Sequence, residues 1–164
     1  SRLRRSTVPS TWVVAAQAFH WFDVAACRVE WRRILRDPPR VALLWNNRRE
    51  DTPFLAAYET LLQTFAVDYA RVKHQNVAAD GRLTALLESG WTLRTFANVQ
   101  RLDFDALAGR LRSSSYMPTP AHPRFAELMR ALRALFDAHA CDGAVNLAYE
   151  TQLYVGTVAP APPQ

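Results

Sequence analysis

Thr11-Trp12-Val13-Val14-Ala15-Ala16-Gln17-Ala18-Phe19-His20-Trp21-Phe22-Asp23 changes character halfway along. Trp12 to Ala16 is uncharged and has neither a helical nor an alternating period, which is how a strand buried on both faces of a parallel sheet reads. Gln17, His20 and Trp21 follow at once. An open α/β sheet keeps its ligand crevice at the carboxyl ends of its strands, so the stretch is expected to be a core strand that delivers an amide, an imidazole and an indole to a site.

Downstream, Asp23 can cap a helix running to about Arg36. Val24, Cys27, Trp31, Ile34 and Leu35 recur on one side of it, and Arg28, Arg32, Arg33 and Arg36 mark the wet side. Asp37-Pro38-Pro39 then stops it. Val41-Ala42-Leu43-Leu44-Trp45 is a second buried-strand run, and strand, helix, strand with short connections is the signature of a parallel sheet. Thr52 before Pro53 opens a helix with Phe54, Tyr58, Leu61, Leu62 and Phe65 on one stripe.

The pattern is irregular over 68 to 80, with a short helix near Arg82 to Glu88 and a third strand over Trp91 to Leu102. Asp103 or Asp105 starts a helix through Leu111. Ser113-Ser114-Ser115-Tyr116-Met117-Pro118-Thr119-Pro120 is a proline-punctuated loop. Pro123 to Ala140 carries the clearest helical stripe, Phe125, Leu128, Met129, Leu132, Leu135 and Phe136, and Val145 to Val155 alternates as a strand. Residues 1 to 10 and the proline-rich tail from Pro160 to Gln164 read as unpacked ends. The expectation is one α/β domain over 1–160, with a disordered tail at 161–164.

The 164 residues, 49% hydrophobic and 21% charged, suit a globular domain with a real core. Cys27 and Cys141 lack any metal-ligand spacing, which points to a cytoplasmic chain with free thiols and no metal. The net charge of +5 is almost all arginine. It is spread over helices rather than massed, so a nucleic-acid surface is the weaker reading of it. Arg2, Arg4 and Arg5 ahead of an apolar run imitate a signal peptide, but Gln17, His20 and Asp23 interrupt that run. No stretch is apolar for long enough to span a membrane.

Nucleotide cofactors need close backbone approach at the first strand-to-helix turn, which glycines provide. Gly81, Gly90, Gly109, Gly143 and Gly156 stand singly, so neither GxGxxG nor a P-loop can be written, and there is no GxSxG elbow or HExxH helix. From spacing, the chain is an α/β domain with a His-Trp corner and no complete active site.

Val13 to Asp23, then Arg33-Ile34-Leu35 and Val41-Ala42-Leu43-Leu44-Trp45-Asn46-Asn47-Arg48, resembles the second half of a class I S-adenosylmethionine-dependent methyltransferase of the broad type 11 group. Gly109-Arg110-Leu111, Ser113 to Pro118, Tyr149-Glu150-Thr151 and Tyr154-Val155-Gly156 resemble one branch of it. The Asp37-Pro38-Pro39 turn stands where Pro-Gly-Gly is usual, and Ser10-Thr11 where an acidic residue is usual. The resemblance implies the carboxyl-terminal half of a Rossmann-like sheet with an antiparallel last strand. Trp12–Ala16, Arg40–Asn46, Trp91–Leu102 and Ala144–Thr157 would be strands four to seven, and 103–140 a helical insertion on the substrate side. Strands one to three, with the glycine-rich loop and the acidic residue that holds the cofactor's ribose, would not be in this chain.

The same resemblance implies that Ala16, Gln17, Ala18 and Trp21 line the methionine end of S-adenosylmethionine. His20 would orient or deprotonate the acceptor nucleophile, an imidazole being able to titrate near neutral pH. Asn46, Arg48, Ser115 and Tyr116 would meet a small-molecule methyl acceptor. His74, His122 and His139 read as surface or capping residues. The expected activity is methyl transfer by in-line displacement, with this chain inactive without the cofactor-binding half. Two other readings stand beside it: a non-catalytic module that pairs through an exposed sheet edge, as in a homodimer, and a nucleic-acid-binding module.

Overall fold

A computed structural model describes residues 10–67, 81–88 and 90–160. Most expected elements appear close to their expected bounds. β1 is Ser10–Ala16, followed by a 3-10 turn at Phe19–Trp21, α1 at Val24–Ile34, β2 at Leu35–Arg48 and α2 at Pro53–Phe65. Then come α3 at Arg82–Leu86, β3 at Thr92–Leu102, α4 at Phe104–Arg112, α5 at Phe125–His139 and β4 at Val145–Thr157. The stretch 68–80, read as irregular, and the ends at 1–9 and 161–164 lie outside the described residues.

The helix starts follow their cap chemistry. Asp23 accepts from Ala26 N at 3.0 Å, Thr52 from Leu55 N at 3.2 Å and Asp103 from Ala106 N at 2.8 Å. Each side-chain oxygen satisfies an amide that has no partner in the first turn. Between Asp103 and Asp105, it is Asp103 that caps.

The four strands form one sheet in the order β1-β2-β4-β3, with β1 and β2 parallel and the remaining pairs antiparallel. This is the half-sheet with an antiparallel last strand that the resemblance implies. Two sequence readings need correction. β1 is not buried on both faces: Ala15 is 6% exposed, whereas Trp12 is 39% and Val14 64% exposed. It ends the strand order, and only its odd-numbered side chains meet a packed layer, so its uncharged run reflects one buried face and one open one. Secondly, α1 stops at Ile34 and Asp37-Pro38-Pro39 lies within β2 rather than between elements. Ser10 aligns with Leu35 and Trp12 with Arg40, so Arg36 to Pro39 are accommodated at a shift in register. Prolines have no amide to give a ladder and collect at such irregularities.

The described residues divide into two compact units, the first comprising 10–46, 81–88, 90–96 and 151–160, and the second 47–67 and 97–150. The core of the first unit is Ala15, Phe19, Trp31, Leu35, Val41, Leu43, Trp45, Leu83, Leu86, Leu87, Tyr154 and Val158. Odd-numbered residues of β1 and β2 face α1 and α3 here. The second unit packs α2, α4 and α5 around Leu55, Leu62, Leu107, Leu111, Leu128, Leu132 and Leu147, with Tyr58 and Tyr149 buried in the same core.

Glycines differ sharply in what they permit. A Cβ on Gly156 of β4 would come within 2.9 Å of Trp91 Cβ, while one on Gly109 of α4 would meet nothing within 4 Å. Gly156→Ala is therefore expected to destabilise by about 1–3 kcal/mol through overpacking. Gly109→Ala should stabilise by about 0.5–1 kcal/mol by lowering unfolded-state entropy in a helix. Urea midpoints moving in opposite directions would bear out the pair.

Candidate functional site

In the first unit the candidate residues hang on the turn after β1. Gln17 adopts φ 51°, a left-handed conformation uncommon outside glycine and asparagine. Its amide donates to Leu44 O at 3.0 Å, continuing the ladder onto β2, and its Nε2 reaches Asn46 O at 3.4 Å. The chain then folds into the 3-10 turn, with Trp21 N donating to Ala18 O and Phe22 N to Phe19 O, both at 3.0 Å.

Phe19 anchors that turn. It is fully buried, edge-on to Phe22 at 6.3 Å and to Trp45 at 6.2 Å. Arg82 of α3 clamps the other side: its guanidinium donates to His20 O at 3.0 Å, to Phe19 O at 3.4 Å and to Phe22 O, and lies 5.3 Å from the Phe19 ring centroid. Holding Phe19 inward turns its neighbours outward. Trp21 is 78% exposed, and the half-buried His20 ring lies 4.7 Å from Trp21 and 6.1 Å from Trp45. Asn46, at the end of β2, is exposed and accepts from Thr151 Oγ1 at 2.5 Å.

Several of these groups are open at the strand end. Ala16 and Gln17 are exposed and Ala18 half-buried. The open indole of Trp21 offers an aromatic face of the kind that attracts a sulfonium cation. The glycines stand singly in sequence.

The second unit holds Arg48, Ser115 and Tyr116. Arg48 forms an ion pair with Glu59, a residue 4% exposed, and Glu59 also accepts from Gln63 Nε2 at 3.0 Å. The guanidinium lies 5.4 Å from the ring centroid of Tyr58. Across the same cluster, Arg110 donates to Tyr149 Oη at 2.9 Å, its carbon 5.5 Å from that ring's centroid. Tyr116 is half-buried against this core, and its carbonyl accepts from Val67 N at 3.0 Å. Ser115 is exposed on the adjoining loop.

Burial pushes the Tyr58 phenol well above its ordinary value of 10.0, against the pull of Arg48 and Arg110 and with the help of Tyr116 and Tyr149. A phenol that holds its proton more tightly when folded loses nothing below pH about 10. Above that the unfolded chain ionises first, and stability falls. The expected loss is about 1.4 kcal/mol per pH unit above about pH 10, flattened in Tyr58→Phe. Alkaline unfolding followed by tyrosinate absorbance measures it.

Sequence reasoning thus picked out two groups of residues, Ala16, Gln17, Ala18, His20, Trp21 and Asn46 in one unit and Arg48, Ser115 and Tyr116 in the other. It missed Arg82, which no local pattern links to a turn 60 residues away. It also missed Glu59, although a carboxylate beside Tyr58 and four residues after Leu55 on an apolar helix was a visible signal. Cys27 and Cys141 are free thiols. His122 Nδ1 accepts from Arg124 N at 3.1 Å, a capping contact, and the His139 ring sits 5.9 Å from Phe54; His74 lies outside the described residues. Among the described residues no group of three His, Cys, Asp or Glu side chains could hold a metal, and no helix is long and apolar enough to cross a membrane.

No protein-family model and no curated protein matches the chain. Solved structures do. A candidate type II methyltransferase from Anaeromyxobacter dehalogenans superposes with a TM-score of 0.57 at 23% identity, covering 91% of this chain and 66% of its own. A candidate methyltransferase from Bacillus halodurans C-125 gives a TM-score of 0.45 at 17% identity, over 99% of this chain and 68% of its own. The chain spans 66% of the length of the first of these structures. The fold is a methyltransferase fold.

Proposed function

We propose that this chain contributes the methionine-facing wall and the acceptor-facing residues of a S-adenosylmethionine-dependent methyltransferase. The observation that carries the reading is the turn after β1, where Phe19 and Arg82 lock a backbone that presents Gln17, His20 and Trp21 at the carboxyl end of a parallel strand. When bound, the cofactor supplies an electrophilic methyl group on a sulfonium. The chain's own part is positioning and exclusion of water. The strand end at Ala16 to Ala18 receives the methionine moiety, Trp21 shields the cation, and His20 orients the acceptor or takes its proton.

Saturation-transfer NMR with S-adenosylmethionine tests this. Saturation should reach the methyl and methionine protons in preference to the adenine protons, and should disappear in Trp21→Ala. No transfer, or transfer unchanged by Trp21→Ala, would sink the methyltransferase reading. Micromolar affinity by calorimetry for residues 1–164 would sink the assignment of only one wall to this chain.

The exposure of Trp12 and Val14 on a terminal, uncharged strand favours a second reading, association of two copies through β1. An edge without charge lacks the usual guard against pairing. Light scattering that shows a monomer across the micromolar range would rule this out.

A further inference from the structure

The two parallel strands have a second end. Gln17, His20 and Trp21 follow the carboxyl end of β1, whereas Trp12 lies near its start and aligns with Arg40 of β2. Both side chains are exposed, and the Arg40 guanidinium lies over the Trp12 ring with its carbon 5.7 Å from the centroid. Together with Trp91, Gly156 and Thr157 they line a cleft of about 330 Å3. All of these residues belong to the first unit. The volume falls at the lower end of the range for small-molecule clefts, about 300–1,000 Å3.

The second indole of the cleft is held in place. A Cβ on Gly156 would come within 2.9 Å of Trp91 Cβ, so the bare backbone of β4 is what admits Trp91 at this position. The half-buried Trp91 ring packs 5.6 Å from the ring of Tyr154, a core residue. Arg40 is held only by its stacking: among the described residues it makes no hydrogen bond and no ion pair. The Glu88 carboxylate accepts instead from Thr157 Oγ1 at 2.8 Å. A guanidinium stacked by its face keeps the N–H donors along its edge for a ligand.

We propose that Trp12, Arg40 and Trp91 form a binding site for a small planar aromatic acid, whose ring stacks on the indoles and whose carboxylate or phosphate takes the Arg40 donors. Each half of that ligand answers to a feature of the cleft. An anion with no ring would leave the indoles wet, and a neutral ring would leave the guanidinium edge without an acceptor. The flat faces of indole and guanidinium favour a flat partner through offset stacking. A charge-assisted bond to the acid then sets which end of the ligand lies against Arg40. The volume suits a single bicyclic acid rather than a chain of residues or nucleotides. The site is at the opposite end of β1 from the turn assigned to methyl transfer and does not depend on that reading. Its side chains rise from the face of the sheet, so it is also distinct from the free backbone edge of β1.

The test pairs each acid with a neutral counterpart. Indole-3-acetate against indole-3-acetamide probes a carboxylate, and adenosine monophosphate against adenosine probes a phosphate, all titrated by ligand-observed NMR. In at least one pair the acid should bind about 5-fold or more tightly than its counterpart, and the pair with the larger preference identifies the acid. Arg40→Gln should abolish the preference while leaving the neutral probe unchanged, and Trp12→Ala should weaken both members of the pair by about 5-fold or more. Both positions are exposed, so neither substitution threatens the fold, and urea midpoints check that. Equal binding of acid and counterpart in both pairs would overturn the site, as would a preference that survives Arg40→Gln or binding indifferent to Trp12→Ala. Displacement of the aromatic acid by equimolar acetate or inorganic phosphate would show a bare anion site and overturn it too.

Discussion

Phe19→Ala is expected to destabilise the protein by about 3–5 kcal/mol, although it sits between two candidate site residues. Its ring is fully buried, with Phe22 and Trp45 edge-on to it and Arg82 against it. Removing it leaves a cavity under the turn, and the guanidinium then clamps carbonyls with no hydrophobic floor beneath them. His20→Ala and Trp21→Ala should change stability far less, Trp21 being 78% exposed, and should instead alter ligand contacts. Urea unfolding of the three variants separates the anchor from the residues it presents. Equal stability losses would mean that the turn is held by something other than Phe19.

Arg48→Met is expected to cost about 3–5 kcal/mol, because it takes the Arg48 cation away from a buried carboxylate. The side chains of Arg48 and Glu59 are 16% and 5% exposed, so water can repair little of the loss. The double variant Arg48→Met with Glu59→Leu should recover most of it, since an apolar pair replaces a buried ionic one at small net cost. A double-mutant cycle from denaturant midpoints measures the coupling. An Arg48→Met variant as stable as the parent would show that the pair is not formed, and would return Arg48 to the role of a cation held for the acceptor.

Those expectations show where local reading stops. The helix boundaries were legible because caps are local chemistry: Asp23, Thr52 and Asp103 each serve an amide three residues on. The stripe from Phe125 to Phe136 was legible because one apolar face at helical spacing has few other uses. β1 misled because an uncharged run does not say how many of its faces are covered. The shift that takes Arg36 to Pro39 into β2 depends on pairing with a strand more than 20 residues away, which a proline rule cannot see. The AQAFHWF run pointed to Gln17, His20 and Trp21, while their support from Arg82 has a separation of 62 residues at His20 and left no mark in the local pattern.

The amino-acid order by itself determined the element types, most of their limits, and the chemical character of the turn after β1. These follow from caps, periodicity and composition, all set within a few residues. Tertiary structure decided that Phe19 faces in while Trp21 faces out, that Arg48 pairs with Glu59, and that Arg110 meets Tyr149. Those outcomes depend on which distant groups bury together, because a buried charge must find its counter-charge and a buried ring its neighbours wherever in the chain they lie.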